Sequence, residues 1–253
     1  MTLEVEFVGH STLVIEIDGH RILTDPAIRA RIGPLRRVIR VPDRHRLAGI
    51  DAILISHLHW DHLDLPSLHD LGVRIPVVVP VGAGRWLTAA GFRHVTEMGR
   101  GDRLTLGSVE VAAVPAVHSG FRPPAGPTAQ ALGYVIRGSR SVYFAGDTDL
   151  FPEMAALSGL IDLALLPVWG WGPMLGRGGH LDPIRAAESL RLIRPRAAVP
   201  IHWGTYWPHA LGRVYPGRLV EPPAAFVEHA AELAPDVRTL PTEPGDEVDL
   251  RGW

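Results

Sequence analysis

His57, His59, Asp61 and His62 crowd into the stretch ILISHLHWDHLD, residues 53–64, directly behind the apolar run DAILIS. Imidazole and carboxylate are suitable ligands for zinc, and also for iron or manganese. A strand that ends in a tight turn can aim alternate side chains into one cavity. Four ligands this close in sequence rarely complete the shell of a single ion. Their spacing suits two metals side by side, with further ligands supplied from elsewhere. His118 closes AAVPAVH, Asp147 follows SVYFAG, and His202 closes AAVPIH. Each stands just past an apolar run, where an inward polar side chain is costly without a partner. Taken singly, each reads better as a hydrogen-bonded strand-end residue. The order His-x-His-x-Asp-His, then His, Asp and His, each after a strand, is what points to a metal centre. The chain has no cysteine, so any metal must be held by His, Asp or Glu.

The elements that must position these residues are mostly strands. LEVEFVG, TLVIEID and GHRILTDP read as an opening antiparallel meander. Residues 27–49 read as irregular and Arg-rich, and DAILIS as a buried strand. LPSLHDLG suits a short helix ended by Gly72, IPVVVPV a strand, and GAGRWLTAAG a helix ended by Gly91. DRLTLGSVEVAAVPA is a hairpin turning at Gly107, and ALGYVIRG with SVYFAGDT is another. DLFPEMAALSG predicts a helix and IDLALLPV a strand. DPIRAAESLRLIRP predicts a helix capped by Asp182 with Pro183 at its first position. AAVPIHW is a strand and PPAAFVEHAAELAP a last helix. Strands outnumber helices, and the helices fall between groups of strands. This predicts two packed sheets with helices outside, in one α/β domain spanning 1–253.

Composition removes several function classes. Hydrophobic residues make up 46% of the 253, enough for a sizeable core. A net charge of −2 supplies no global field to recruit nucleic acid or an anionic membrane. There is no apolar run of about 18 residues, so no membrane-spanning helix is expected. The opening residues alternate like a strand and lack the basic-then-apolar form of a signal peptide, so a cytoplasmic location is expected. Every basic residue other than histidine is arginine, and asparagine is absent; GC-rich codon usage accounts for both.

With these motifs in order along nearly the whole chain, the sequence resembles the metallo-β-lactamase-fold superfamily. That resemblance implies a four-layer αβ/βα sandwich with a metal pair at one edge. It implies His57, His59 and His118 on the first metal, Asp61, His62 and His202 on the second, and Asp147 bridging them. The ions would be two divalent metals, zinc in the first instance, with manganese or iron as alternatives. FVGHSTLVIEIDGHRILTDP, LLPVWGWGP, GHLDPIRAAE and IHWGTY are similar to the branch that holds ascorbate-6-phosphate lactonase and N-acylphosphatidylethanolamine phospholipase D. The first strand begins almost at Met1, with no room for the extension that phospholipase carries, so membrane docking and a long-chain lipid substrate are not expected. The implied activity is hydrolysis of a small-molecule ester, lactone or phosphodiester by a metal-bridging hydroxide. The alternatives are a metal-binding scaffold without turnover and a mononuclear iron oxygenase. Nothing in the sequence fixes the oligomeric state.

Other residues border this set. Asp25, in LTDP, reads equally as a partner for a metal-bound histidine and as the cap of the turn at Pro26. His10, after FVG, reads as a hydrogen-bonded structural histidine, and Trp60 as packing. His180, in RGGHLDP, is not needed as a ligand. The resemblance sets it at the mouth facing the metals, where it would donate to an oxyanion or protonate the leaving group. Asp61, Asp147 and His180 are therefore the candidate catalytic side chains. The arginines at 29, 31, 36, 37, 40, 44 and 46 suit an anionic substrate if their loop borders the mouth, and otherwise form a solvated loop. Residues 170–179, Gly-rich and flanked by Trp169, with Trp171 and Met174 inside, would line an apolar part of the pocket.

Overall fold

Successive side chains of a strand face opposite sides of its sheet, and this alternation builds the layers. The structure is a computed structural model that describes residues 3–169, 179–208 and 219–251. β1 (Leu3–Gly9), β2 (Thr12–Ile17) and β3 (His20–Thr24) form the expected antiparallel meander. A small hairpin, β4 (Arg31–Ile32) and β5 (Leu35–Arg37), follows, then β6 (Ala52–Leu54), α1 (Leu65–Leu71), β7 (Val77–Pro80), α2 (Gly84–Ala89) and β8 (Val95–Met98). β6 joins β3 in parallel, and β7 and β8 extend the sheet by helical crossovers, giving the order β1-β2-β3-β6-β7-β8.

The second sheet begins with antiparallel β9 (Arg103–Leu106), β10 (Val109–Pro115), β11 (Leu132–Arg137) and β12 (Ser141–Phe144). Next come β13 (Leu163–Pro167), α3 (Pro183–Ile193), β14 (Ala197–Ile201), β15 (Tyr206–Pro208), α4 (Glu221–Leu233) and β16 (Arg238–Thr239). β13, β14 and β16 run parallel to β12, so the order is β16-β14-β13-β12-β11-β10-β9. In the first sheet, Leu13, Ile15, Ile17, Ile22, Leu54 and Val78 turn inward and share one core with Tyr134 and Phe144 of the second. Their neighbours Val14, Leu23, Ile53, Val77 and Val79 face outward onto Leu68 of α1 and Leu87 of α2. Ala186 and Leu190 of α3 and Phe226 of α4 pack with the second sheet. The result is the four-layer αβ/βα sandwich.

Three features depart from the sequence reading. Residues 27–49 are not all irregular. β4 and β5 pair there, and β15, some 170 residues later, adds a third strand, Tyr206 opposite Arg37. Residues Pro152–Leu157 form a 3₁₀ helix rather than an α-helix. β8 was not anticipated, because VTEM carries little alternation of polarity. The chain after α4 returns to β1. Phe7 N–H donates to Asp246 O (2.9 Å), Gly245 N–H to Phe7 O (2.6 Å) and Val248 N–H to Val5 O (2.8 Å).

Candidate metal centre

The seven residues chosen from the sequence gather at the carboxyl ends of strands from both sheets. That is where open α/β sheets bind ligands. The chain beyond β6 carries Ser56 and His57, and the turn that follows carries His59, Asp61 and His62. The chain beyond β10 carries His118, the one beyond β12 Asp147, and the one beyond β14 His202. Gly146 makes the approach possible. Its φ is +60°, and a Cβ there would lie 2.5 Å from Ser56 Cβ, so a side chain would push Asp147 off the ends of the first sheet.

Side-chain distances arrange the seven around Asp147. His59 Nδ1 lies 3.0 Å from His57 Nε2 and 3.0 Å from His118 Nε2. Asp147 stands between this trio and the remaining residues. Its Oδ2 is 4.0 Å from His57 Nε2 and from His118 Nε2, and 3.2 Å from His62 Nε2. Its Oδ1 is 3.2 Å from His202 Nε2. Asp61 Oδ2 is 3.8 Å from His62 Nε2.

The outer nitrogens of these rings are already engaged. His62 Nδ1–H donates to Asp25 Oδ2 (2.8 Å), His118 Nδ1–H to Gly179 O (2.6 Å), and His202 Nδ1–H to Trp169 O (2.6 Å). Ser56 Oγ–H donates to Asp25 Oδ2 (2.5 Å), so its oxygen accepts from His57 Nδ1–H (3.0 Å). A neutral imidazole has one N–H. In its neutral form each of these four rings therefore offers an inner Nε2 lone pair aimed at the others or at the Asp147 carboxylate. Buried lone pairs converge stably on a cation. His62 Nε2 and Asp147 Oδ1, both buried, find no hydrogen bond in the fold. The residues present therefore fit a metal centre.

Electrostatics favours ligand-ready forms in the first trio. Burial, with neighbouring imidazoles, holds His57 well below its usual value. Burial takes His118 down to about 4 and also lowers His59. Burial would raise the Asp147 carboxyl, but His202 and His62 outweigh it and hold the group well below the usual carboxylate range. Burial would lower His62, but the Asp147 and Asp61 carboxylates lift it well above its ordinary value.

Residues at the border resolve one by one. Asp25 is a histidine partner, bonding both His62 and Ser56. His180 Nε2 lies 3.2 Å from Asp147 Oδ2, and its ring meets His118 edge to face, so it stands inside the cluster. His10 is more than a bystander, because its Nε2 lies 3.0 Å from Asp61 Oδ2. Trp60 packs over Gly33 in the β4–β5 turn, where a Cβ would come within 2.6 Å of the indole. Several arginines of residues 29–46 are used structurally. Arg29 grips Asp64, the cap of α1, through two bonds of 2.6 and 2.8 Å, and Arg46 pairs with Glu6 at 2.8 Å. Arg37 is buried, donating to Val8 O (2.7 Å) and Ala27 O (3.0 Å), so it is not available to a substrate. Arg31, Arg36 and Arg40 are exposed. Of the Gly-rich stretch, residues 170–178 with Trp171 and Met174 lie outside the described residues, as does His209.

Sequence reasoning missed Arg122. Its guanidinium donates to Leu58 O (2.6 Å) and Leu63 O (2.9 Å) and lies over the Trp86 ring, strapping the histidine-bearing turn to the loop after His118. His10, Asp25 and His202 all adopt left-handed backbone, with φ of 59°, 32° and 64°. Such conformations in non-glycine residues cluster at functional sites.

Residues 20–203 match the model of the β-lactamase superfamily domain. The chain belongs to this family. Its fold is accordingly the metallo-β-lactamase fold. Among relatives, it is 28% identical to the UPF0173 metal-dependent hydrolase MK1542 of Methanopyrus kandleri, covering 98% of this chain and all of that one. It is 30% identical to N-acyl-phosphatidylethanolamine-hydrolyzing phospholipase D 1 of Caenorhabditis elegans, covering 79% of this chain and 63% of that one. Among solved structures, the metallo hydrolase Igni18 of Ignicoccus hospitalis superposes with a TM-score of 0.75 at 26% identity, covering 98% of both chains.

Proposed function

We propose that this family member is a metal-dependent hydrolase with a paired site, acting on a small-molecule ester, lactone or phosphodiester. The observation that carries the reading is the convergence of inner imidazole lone pairs around Asp147, with the outer nitrogens already donating. His57, His59 and His118 would hold one cation. Asp61, His62 and His202 would hold the other, with Asp147 between. When bound, the cations, zinc in the first instance, would supply Lewis acidity and activate water at neutral pH. The chain's own part is to fix those ligands. Asp25 and the carbonyls of Gly179 and Trp169 orient three of the rings. His180, beside Asp147, would donate a proton to the developing oxyanion or leaving group.

The test combines elemental analysis with a panel of p-nitrophenyl esters, lactones and bis-p-nitrophenyl phosphate. Close to two transition-metal ions per chain and metal-dependent turnover of at least one class are expected. One ion or fewer after reconstitution with excess zinc would defeat the paired site. Two ions with no turnover on any class would favour a binding role.

A further inference from the structure

His10 belongs to none of the residue sets that motif spacing identified, yet it is built into the centre from two sides. It occupies the turn between β1 and β2 at φ 59°, behind Gly9 at φ 129°. That turn is fastened to the segment after β14. His10 N–H donates to Thr205 Oγ1 (2.7 Å), and His10 O accepts from His202 N–H (2.8 Å). A Cβ on Gly9 would lie 2.8 Å from Thr205 Oγ1, so the close approach requires glycine there. The ring is 1% exposed. Its centroid lies 3.9 Å from that of His202, and the Tyr206 ring meets it edge-on at 5.6 Å. Its Nε2 points at Asp61 Oδ2 across 3.0 Å.

Asp61 sits on the turn after β6, and a carboxylate on such a turn has χ1 and χ2 free unless something holds it. A ligand left to rotate loses ordering entropy each time a cation binds. Partners of ligand atoms commonly set the affinity of a metal site by about 10–100-fold. We propose that His10 is the positioning residue for Asp61. Its Nε2–H fixes Oδ2, so the carboxylate presents its remaining lone pairs toward the second cation together with His62 and His202. His10 lies within 4.8 Å of the ligand atoms of Asp61, His62 and His202, but its Nε2–H is spent on Asp61 Oδ2, so it would act through that carboxylate rather than as a ligand. This rests on the paired-site reading above.

The test compares His10→Phe with His10→Gln in the full chain. Both residues meet the same left-handed backbone cost. Phe keeps a ring against His202 and removes the donor, whereas Gln restores an N–H at similar reach. Metal-free protein is titrated with cobalt(II) and followed by its visible spectrum, alongside melting of the metal-free form. In His10→Phe, affinity for the second equivalent should fall about 10–100-fold while the first is unchanged. His10→Gln should recover most of the loss, and both metal-free variants should melt close to each other. If the Phe ring is not accommodated, His10→Leu removes the donor without added volume. Wild-type affinity for both equivalents in the donor-less variant would overturn the proposal, as would an equal loss in His10→Gln. A wild-type chain that takes one equivalent would overturn the paired reading and this inference with it, and that outcome is visible before any variant is made.

Discussion

At the scale of single residues, Asp147 and His180 separate holding a metal from handling a proton. Asp147 reaches both sets, its Oδ2 lying 4.0 Å from His57 and His118 and 3.2 Å from His62, and its Oδ1 3.2 Å from His202. Asp147→Ala should therefore lower metal content and turnover together, read by elemental analysis beside the rate. His180 touches Asp147 as well and meets His118 edge to face, but its Nδ1 is buried without a hydrogen bond. His180→Ala should keep metal content and melting temperature near wild type while kcat falls about 10²–10⁴-fold. Metal lost along with activity would make His180 a ligand instead. That the seven candidate ligands lie close together was legible because each follows a strand signal, and strand ends converge in sandwich folds. The roles of His10 and Arg122 were not, because each acts on a residue more than fifty positions away. Asp25 was half legible: its place at a strand end could be read, but whether it served the turn or a histidine depended on where His62 would arrive.

At the scale of elements, the long-range struts decide stability. Arg37 ties the β4–β5 hairpin to β1 through Val8 O and to the chain after β3 through Ala27 O. Arg37→Ala strands Val8 O in the interior, at a cost of about 1–3 kcal/mol, while Ala27 O still accepts from Tyr206 Oη–H (2.9 Å). For a chain of this size that amounts to a melting temperature lower by roughly 2–12 °C, measurable by calorimetry. A change within error would show that this strut contributes no stability. The three-stranded sheet that this strut supports could not be read locally, since β5 pairs with β15, which lies some 170 residues further along the chain. Helix α3, by contrast, matched its sequence limits because its Asp182 cap and Pro183 start are local chemistry.

A second element-scale strut responds to pH. Asp162, before β13, accepts from Ser141 N–H (2.9 Å) and Ser141 Oγ–H (3.0 Å) at the start of β12. Burial would raise its carboxyl, but these bonds and Arg140 outweigh it and lower it from 3.8. A carboxylate lowered in the folded state contributes stability above its unfolded pKa, and this is lost as pH falls through the folded value. The stability gap between wild type and Asp162→Asn should be full at pH 7, narrow below about pH 4, and close under stronger acid. A gap that widens on acidification would contradict the assignment.

At the scale of the whole molecule, the centre joins two sheets that, among the described residues, share an apolar core and cross-bonds such as Tyr134 Oη–H to Ile55 O. Cations bound only by the folded chain stabilise it by mass action, about 2.7 kcal/mol per site at a hundredfold excess over Kd. Removing them with a chelator should lower the melting temperature by about 5–10 °C for each site, reversed by zinc. No shift on chelation would mean that the cluster holds no ion in solution.

The strand that leads to His10 is synthesised more than 230 residues before the segment Gly245–Val248 that pairs its open edge. A nascent chain therefore carries β1 with one row of amides and carbonyls bare until that segment has been translated. Bare strand edges invite pairing with a neighbouring molecule. On a crowded ribosome, the time between the birth of β1 and the arrival of its cover is the interval in which this protein is most exposed to mispairing. The turn that bears His10 can take its own footing earlier, once residues 202–205 are made.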